Sequence, residues 1–271
     1  MGTDAASGVG LREPPWAWPR RVQPFMTLLR RELSAYFLSL TGYVVMAAVL
    51  FLLGLSFVQM LTGYNGEALE APLTEVFYST MFFWLILLVS APVITMRLFA
   101  LERSTGTFET LMTTPISEGA VVLAKFTAAL TFYLVMWLPL LVCLGIVSLY
   151  TPEGSPFEWR TVASTFLGIT LLGAFYVALG CLASAFTRSQ VLAAMVALAL
   201  GLTFFMLSFL RGPLGEAQGL WGVVANHISL LTHMEDFVRG VVDTRWVVFY
   251  VGLAAWVLFL TVKVVESRRW R

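Results

Sequence analysis

The chain has 271 residues, 59% of them hydrophobic and only 12% charged, with a formal net charge of +1. That charged share is about half of what a soluble domain carries, which excludes an ordinary water-soluble globule. The net charge says nothing about partners, and no nucleic-acid partner is expected.

Residues 1–24 are rich in Pro, Trp and Arg, with no short apolar core before a small-residue cleavage site. They are expected to form a loosely ordered cytoplasmic arm rather than a cleavable signal peptide. Residues 25–271 are expected to be one six-helix transmembrane domain. Phe25, Leu28, Leu29, Leu33, Tyr36, Phe37 and Leu40 recur at helical spacing, while Arg30, Arg31 and Ser34 fall toward the other face and Glu32 stands near the boundary. This pattern predicts an amphipathic helix in the membrane interface, because the Arg30–Arg31–Glu32 cluster would be costly at membrane depth.

Six stretches without Asp, Glu, Lys or Arg follow: Gly42–Leu61, Val76–Met96, Phe126–Tyr150, Val162–Phe186, Val191–Leu210 and Trp246–Val262. A bilayer core needs about 20 apolar helical residues, so each is long enough to span, the last barely. The fold class is all-α integral membrane. Pro92 and Pro139 lie inside the second and third stretches and predict kinks. Gly168, Gly173, Ala174, Ala178, Gly180, Ala183 and Ser184 in the fourth, and Ala193, Ala194, Ala197, Ala199 and Gly201 in the fifth, allow close helix–helix approach. Cys143 and Cys181 read as small packing residues, and the eleven methionines as apolar filler.

Two connections stand out. Between the second and third spans, Arg97–Lys125, Gly106 permits a sharp turn, Thr107–Thr113 can form a short helix that Pro115 ends, and Ser117 can cap the next helix with Glu118 in its first turn. Phe108, Leu111 and Met112 give the short helix an apolar patch flanked by Glu109. That patch either docks another protein or folds back on the membrane. In the last outer loop, Arg211–Arg245, Leu230, Leu231, Met234, Phe237, Val238, Val241 and Val242 form an apolar stripe. Glu235, Arg239 and Asp243 stand opposite at spacing that allows weak pairing. This predicts an amphipathic helix on or dipping into the outer leaflet. His227, His233, Glu235 and Asp236 match no metal-ligand spacing and read as surface polar residues.

With both ends on one side, that side holds thirteen of the seventeen basic residues and the other only Arg160, Arg211, Arg239 and Arg245. The positive-inside rule therefore predicts cytoplasmic termini. No Walker loop, nucleophile elbow, Cys-x-x-Cys or zinc-protease motif occurs. The six stretches hold no ionisable side chain except Cys and Tyr, which argues against an ion-coupled transporter or an intramembrane acid protease. The energy source is expected in a partner, and no catalytic, metal or cofactor residue is expected in this chain.

On three segments the chain resembles the ABC-2 type permeases, the membrane subunits of ATP-binding cassette exporters, and is most similar to the gliding-motility and nitrous-oxide-reductase-maturation branch. The segments are Pro92–Lys125, with Arg97, Glu102, Gly106, Thr107, Glu109, Leu111, Pro115 and Lys125; His233–Tyr250; and Glu266–Arg271. The resemblance covers about Leu28–Arg271 and leaves the Pro/Trp-rich arm unassigned. It implies that Glu102, Gly106, Thr107, Phe108, Glu109, Leu111, Met112 and Pro115 belong to a coupling helix seated on a separate ATP-binding subunit, which would carry ATP and Mg. It implies that Phe25–Leu40, with Arg30, Arg31 and Glu32, is the connecting helix. It implies that the region of Glu235, Asp236, Arg239 and Asp243 is a re-entrant outer helix. The expected partners are the ATPase, a second or homologous permease, the plasma (inner) membrane bilayer and an envelope protein. The expected function is export through a permease pair. The alternative is a membrane anchor or assembly factor that recruits an ATPase and an envelope partner without moving a solute.

Overall fold

The computed structural model describes residues 23–64, 73–107, 116–150, 158–210 and 227–267. Among them every regular element is a helix, and six are long and apolar enough to cross a membrane. The helices are α1 (Gln23–Phe37), α2 (Leu40–Tyr64), α3 (Leu73–Ser79), α4 (Met81–Thr95), α5 (Ala100–Thr105), α6 (Glu118–Tyr150), α7 (Trp159–Phe186), α8 (Gln190–Leu207), α9 (Leu230–Val238) and α10 (Thr244–Ser267).

The spans correspond to α2, α4–α5, α6, α7, α8 and α10, with two differences from the expected boundaries. Val76–Ser79 does not begin the second span. It belongs to α3, which stops where the Thr80 hydroxyl donates to the Phe77 carbonyl at 2.7 Å. The third span starts well before Phe126. Ser117 caps α6, accepting from the Ala120 amide at 3.4 Å, and α6 runs 33 residues. At 1.5 Å per residue that is about 50 Å, well beyond a hydrocarbon core of about 30 Å. Pro92 and Pro139 both lie within continuous helices.

α7 is the centre of the bundle. It packs against α4, α6, α8, α9 and α10 and is buried from Thr161 to Ala185 except at a few positions. Its small residues make this possible. A Cβ on Gly180 would meet the Thr95 side chain of α4, and one on Gly173 would meet the Tyr133 ring of α6. At Gly168 a Cβ would come within 2.9 Å of Phe237 on α9. With apolar solvent outside, such close approach replaces the hydrophobic effect as the source of helix association. α10 answers with the stripe Tyr250, Ala254, Val257, Leu258, Thr261 and Val265, all buried. By contrast, α2 and α8 turn large apolar side chains outward, among them Phe51, Val58, Val191 and Met195.

At the α3/α9 end, Phe77, Tyr78, Phe83, Trp84 and Trp137 pack mostly edge-to-face, with centroids such as Phe83–Trp84 at 5.2 Å and Phe77–Phe83 at 5.9 Å. That geometry suits the ring quadrupoles and locks α3 to α4 and α6.

Candidate coupling site

The connection between α5 and α6 is held at its base by an ion network. Lys125 of α6 is almost completely buried, and its Nζ donates to Oε1 of Glu32 at 3.0 Å and of Glu102 at 2.9 Å. Arg31 Nη2 reaches the same two oxygens, at 2.7 Å each. Burial works to lower the Arg31 pKa, but the two carboxylates outweigh it and hold the guanidinium above its usual range. The two carboxylates and two cations balance, as a buried set must. Lys125 also stands 5.5 Å from the Phe99 ring centroid. The tetrad lines a cleft of about 270 Å³.

The network exists because of helix phase. Leu28, Glu32 and Tyr36 lie four residues apart on α1 and form its buried stripe. Glu32 is therefore buried, not at the edge of a polar face. Arg30 is exposed, and Arg31 keeps a half-exposed side chain. The apolar stripe of α1 packs on α6, with the Tyr36 ring stacked 5.0 Å from Phe132. The expected interfacial helix is thus docked on the bundle through its apolar side.

Four further ties fix α5 and the break before it. Between α4 and α5 the chain breaks helix at residues 96–99, and Ser184 of α7 accepts from the amides of Phe99 (3.0 Å) and Ala100 (3.1 Å). Those are donors a helix start leaves without partners. Arg103 donates to the carbonyls of Ala185 (2.5 Å) and Thr187 (3.3 Å), placing a cation at the negative end of α7. The Tyr36 hydroxyl donates to the Ile94 carbonyl at 2.9 Å, and Arg97 donates to the hydroxyls of Ser39 and Thr41. α5 then ends at Gly106, whose φ of 74° is the left-handed turn expected there. Thr107 is exposed, its hydroxyl 2.9 Å from that of Thr105.

The predicted coupling residues therefore divide. Gly106 and Thr107 lie at the exit of α5. Glu102 is inside the ion network, its side chain 14% exposed, and acts within the molecule rather than on an open docking surface. Phe108, Glu109, Leu111, Met112 and Pro115 lie outside the described residues. Lys125, one of the loop residues that carry the family resemblance, holds the network together.

At the opposite end the outer helix differs from expectation. α9 covers Leu230–Val238 and stops at Gly240, with φ of 85°. Val241 and Val242 fall beyond it and are exposed. The apolar side, Leu230, Met234, Phe237 and Val238, is covered by protein. Its carbonyls accept from Thr74 (Val238, 2.9 Å), Tyr78 (Leu231, 2.8 Å) and Ser164 (Phe237, 2.5 Å). Glu235 supports Arg239 electrostatically. The direct ion pair of Arg239 is with Glu75 of α3 at 2.7 Å. Asp243 accepts from the Arg245 amide at 2.8 Å, and Asp236 accepts from the Trp246 indole at 2.9 Å.

His233 is not a surface residue. It is fully buried, stacked on Trp246 at 3.8 Å, with Nδ1 3.1 Å from the Tyr250 hydroxyl. Burial, aided by nearby His227, pushes its pKa down from the ordinary 6.5 to about 4, so it is neutral at pH 7. His227 is exposed. Among the described residues no three His, Cys, Asp or Glu side chains are placed to hold a metal.

A search of curated proteins gives no match. The family model described as ABC-2 family transporter protein matches residues 43–247, from α2 to the first turn of α10. The matched region takes in α4, α6, α8 and α9, which pack on α7, together with Glu102 and Lys125. The chain belongs to the ABC-2 family of transporter proteins and is a multi-pass membrane component of an ABC transporter.

Proposed function

We propose that this chain is the permease subunit of an ATP-binding cassette exporter, driven by a separate ATP-binding subunit that carries ATP and Mg. The observation that carries the reading is the ion network at the base of the 106–117 connection, in a chain of this family. A loop that receives force must pass it on, and a loosely attached loop would absorb it. Here Glu102 before the loop and Lys125 after it are joined to each other and to α1. Arg103 and Ser184 join the same base to α7 and the α7–α8 corner. A push on residues 107–115 by closure of an ATPase dimer would therefore move α1, α5, α6 and α7 as one body, a rigid-body transition that re-packs two permease copies.

In this reading Phe108, Leu111 and Met112 seat in the ATPase and Glu109 flanks them. Both termini are cytoplasmic, in the plasma (inner) membrane. Spans without charged residues suit a lipidic or polypeptide cargo, or mechanical work, better than a small ion. The test is reconstitution of the purified complex in vesicles. Phe108→Ser and Glu109→Lys should assemble normally yet lose most ATP-dependent transport while ATP hydrolysis persists. Unchanged transport in both variants would remove this role from the loop.

A further inference from the structure

Two cavities meet where α1 turns into α2. The first is the 270 Å³ cleft over the ion network. The second, about 260 Å³, is an almost wholly apolar groove lined by Leu40, Val44, Val45, Val93 and Phe132. They share Tyr36 and Arg97, so a charged cleft continues directly into an apolar groove. Around the mouth, Leu38 and Leu40 are each 80% exposed and Val44 60% exposed. On a chain with membrane spans, side chains of that kind suit a hydrocarbon surface. The groove opens among them with the charged cleft at its end, the order in which a lipid tail and headgroup would lie.

The charges at this junction do not cancel. Lys125 and Arg31 neutralise Glu32 and Glu102. Arg97 is left over: it donates through Nη1 to the neutral hydroxyls of Ser39 and Thr41, and no carboxylate lies within 4 Å among the described residues. Its Nη2 and Nε have no hydrogen-bond partner among the described residues, and a guanidinium offers these donors in the fork that matches a phosphate.

We propose that this pair of cavities binds one anionic phospholipid, with its phosphate on Arg97 beside Ser39 and Thr41 and one acyl chain in the groove between α2 and α4. The surplus charge of Arg97 selects an anionic headgroup over a zwitterionic one, whose own cation would face Arg97. The apolar groove separates a lipid from a free phosphate, which could satisfy Arg97 but would gain nothing from Val44, Val93 or Phe132. The site rests on the membrane placement of the chain and is independent of transport.

The test is native mass spectrometry of the full chain, with any partner that co-purifies, taken from nanodiscs of equal phosphatidylglycerol and phosphatidylcholine. One phosphatidylglycerol should be retained per chain, at least about fivefold over phosphatidylcholine, as expected for one basic contact near the surface. Arg97→Gln should lower retention about fivefold, and Arg97→Lys should keep most of it. Val44→Trp, at an exposed position that tolerates bulk, should abolish retention with every charge intact. This variant decides the matter if Arg97→Gln fails to fold. Glycerol 3-phosphate at millimolar concentration should not displace the lipid. Equal retention of the two lipids, unchanged retention in Val44→Trp, or displacement by glycerol 3-phosphate would overturn the proposal.

Discussion

Replacing Lys125 with methionine probes the ion network at its most buried member. Methionine keeps the chain length and removes the charge. The two carboxylate oxygens that now share Nζ, at 3.0 and 2.9 Å, lie no more than about 6 Å apart, and full charges at that distance repel by about 3 kcal/mol at an effective permittivity near 20. Arg31 still touches both, but its half-exposed side chain shares the task with water. The net cost should be about 3 kcal/mol, the low end for removing one partner of a buried ion set. The readout is thermal unfolding in mild detergent followed by tryptophan fluorescence. Lys125→Met should melt well below the wild type. The double variant Glu32→Gln/Lys125→Met removes the repulsion and leaves Arg31 with Glu102, so it should melt between the two. The reasoning is refuted if Lys125→Met melts like the wild type. It is equally refuted if Glu32→Gln lowers stability as much in the Lys125→Met background as alone, since additive effects mean the groups do not interact.

Gly180→Leu would drive a side chain into Thr95, whose hydroxyl is held by the Ala91 carbonyl at 2.7 Å. Separating α7 from α4 should cost about 1–3 kcal/mol and lower the melting temperature; a wild-type melt would mean the contact can relax freely. His233 should make stability fall with acid. Its folded pKa of about 4 is depressed below the ordinary 6.5, so its contribution is complete above about pH 6.5. It is lost as the unfolded chain takes up the proton between pH 6.5 and 4, for a total of roughly 3 kcal/mol at most. His233→Phe should flatten that part of the pH profile, and an unaltered profile would contradict the burial argument. Arg239→Ala breaks an exposed pair with Glu75 and should barely move the melting temperature, less still in high salt.

The six spans were legible because absence of charge over about 20 residues is a signal that tertiary packing does not disturb. The α7 hub was legible in outline from its small residues, since only Gly and Ala let several helices approach one axis. What escaped was polar chemistry on apolar faces. Glu32 shares a four-residue stripe with Leu28 and Tyr36, and Lys125 stands among Val121, Val122, Ala128 and Ala129. Each position on its own looks like a boundary charge. Read together, a lone acid and a lone base on two apolar stripes require each other as partners. His233 carried the same signal, lying one turn from Leu230 and Phe237 on the buried side of α9. Val241 and Val242 continue the apolar period of the outer helix in the sequence, whereas Gly240 takes a positive φ and ends the helix before them. The Glu75–Arg239 pair joins residues 164 apart in the chain, a distance at which sequence spacing carries no information.

The most direct measurement is purification of the tagged chain in mild detergent, followed by an ATPase assay on the eluate. A permease subunit would bring down a stoichiometric ATP-binding protein of about one nucleotide-binding domain, with Mg-dependent ATP hydrolysis. Phe108→Ser should leave the yield of this chain and the recovered ATP hydrolysis unchanged, since its loss is in transport. A clean chain with no ATPase, again after gentler extraction into lipid nanodiscs, would contradict the coupling role and leave a stand-alone membrane scaffold.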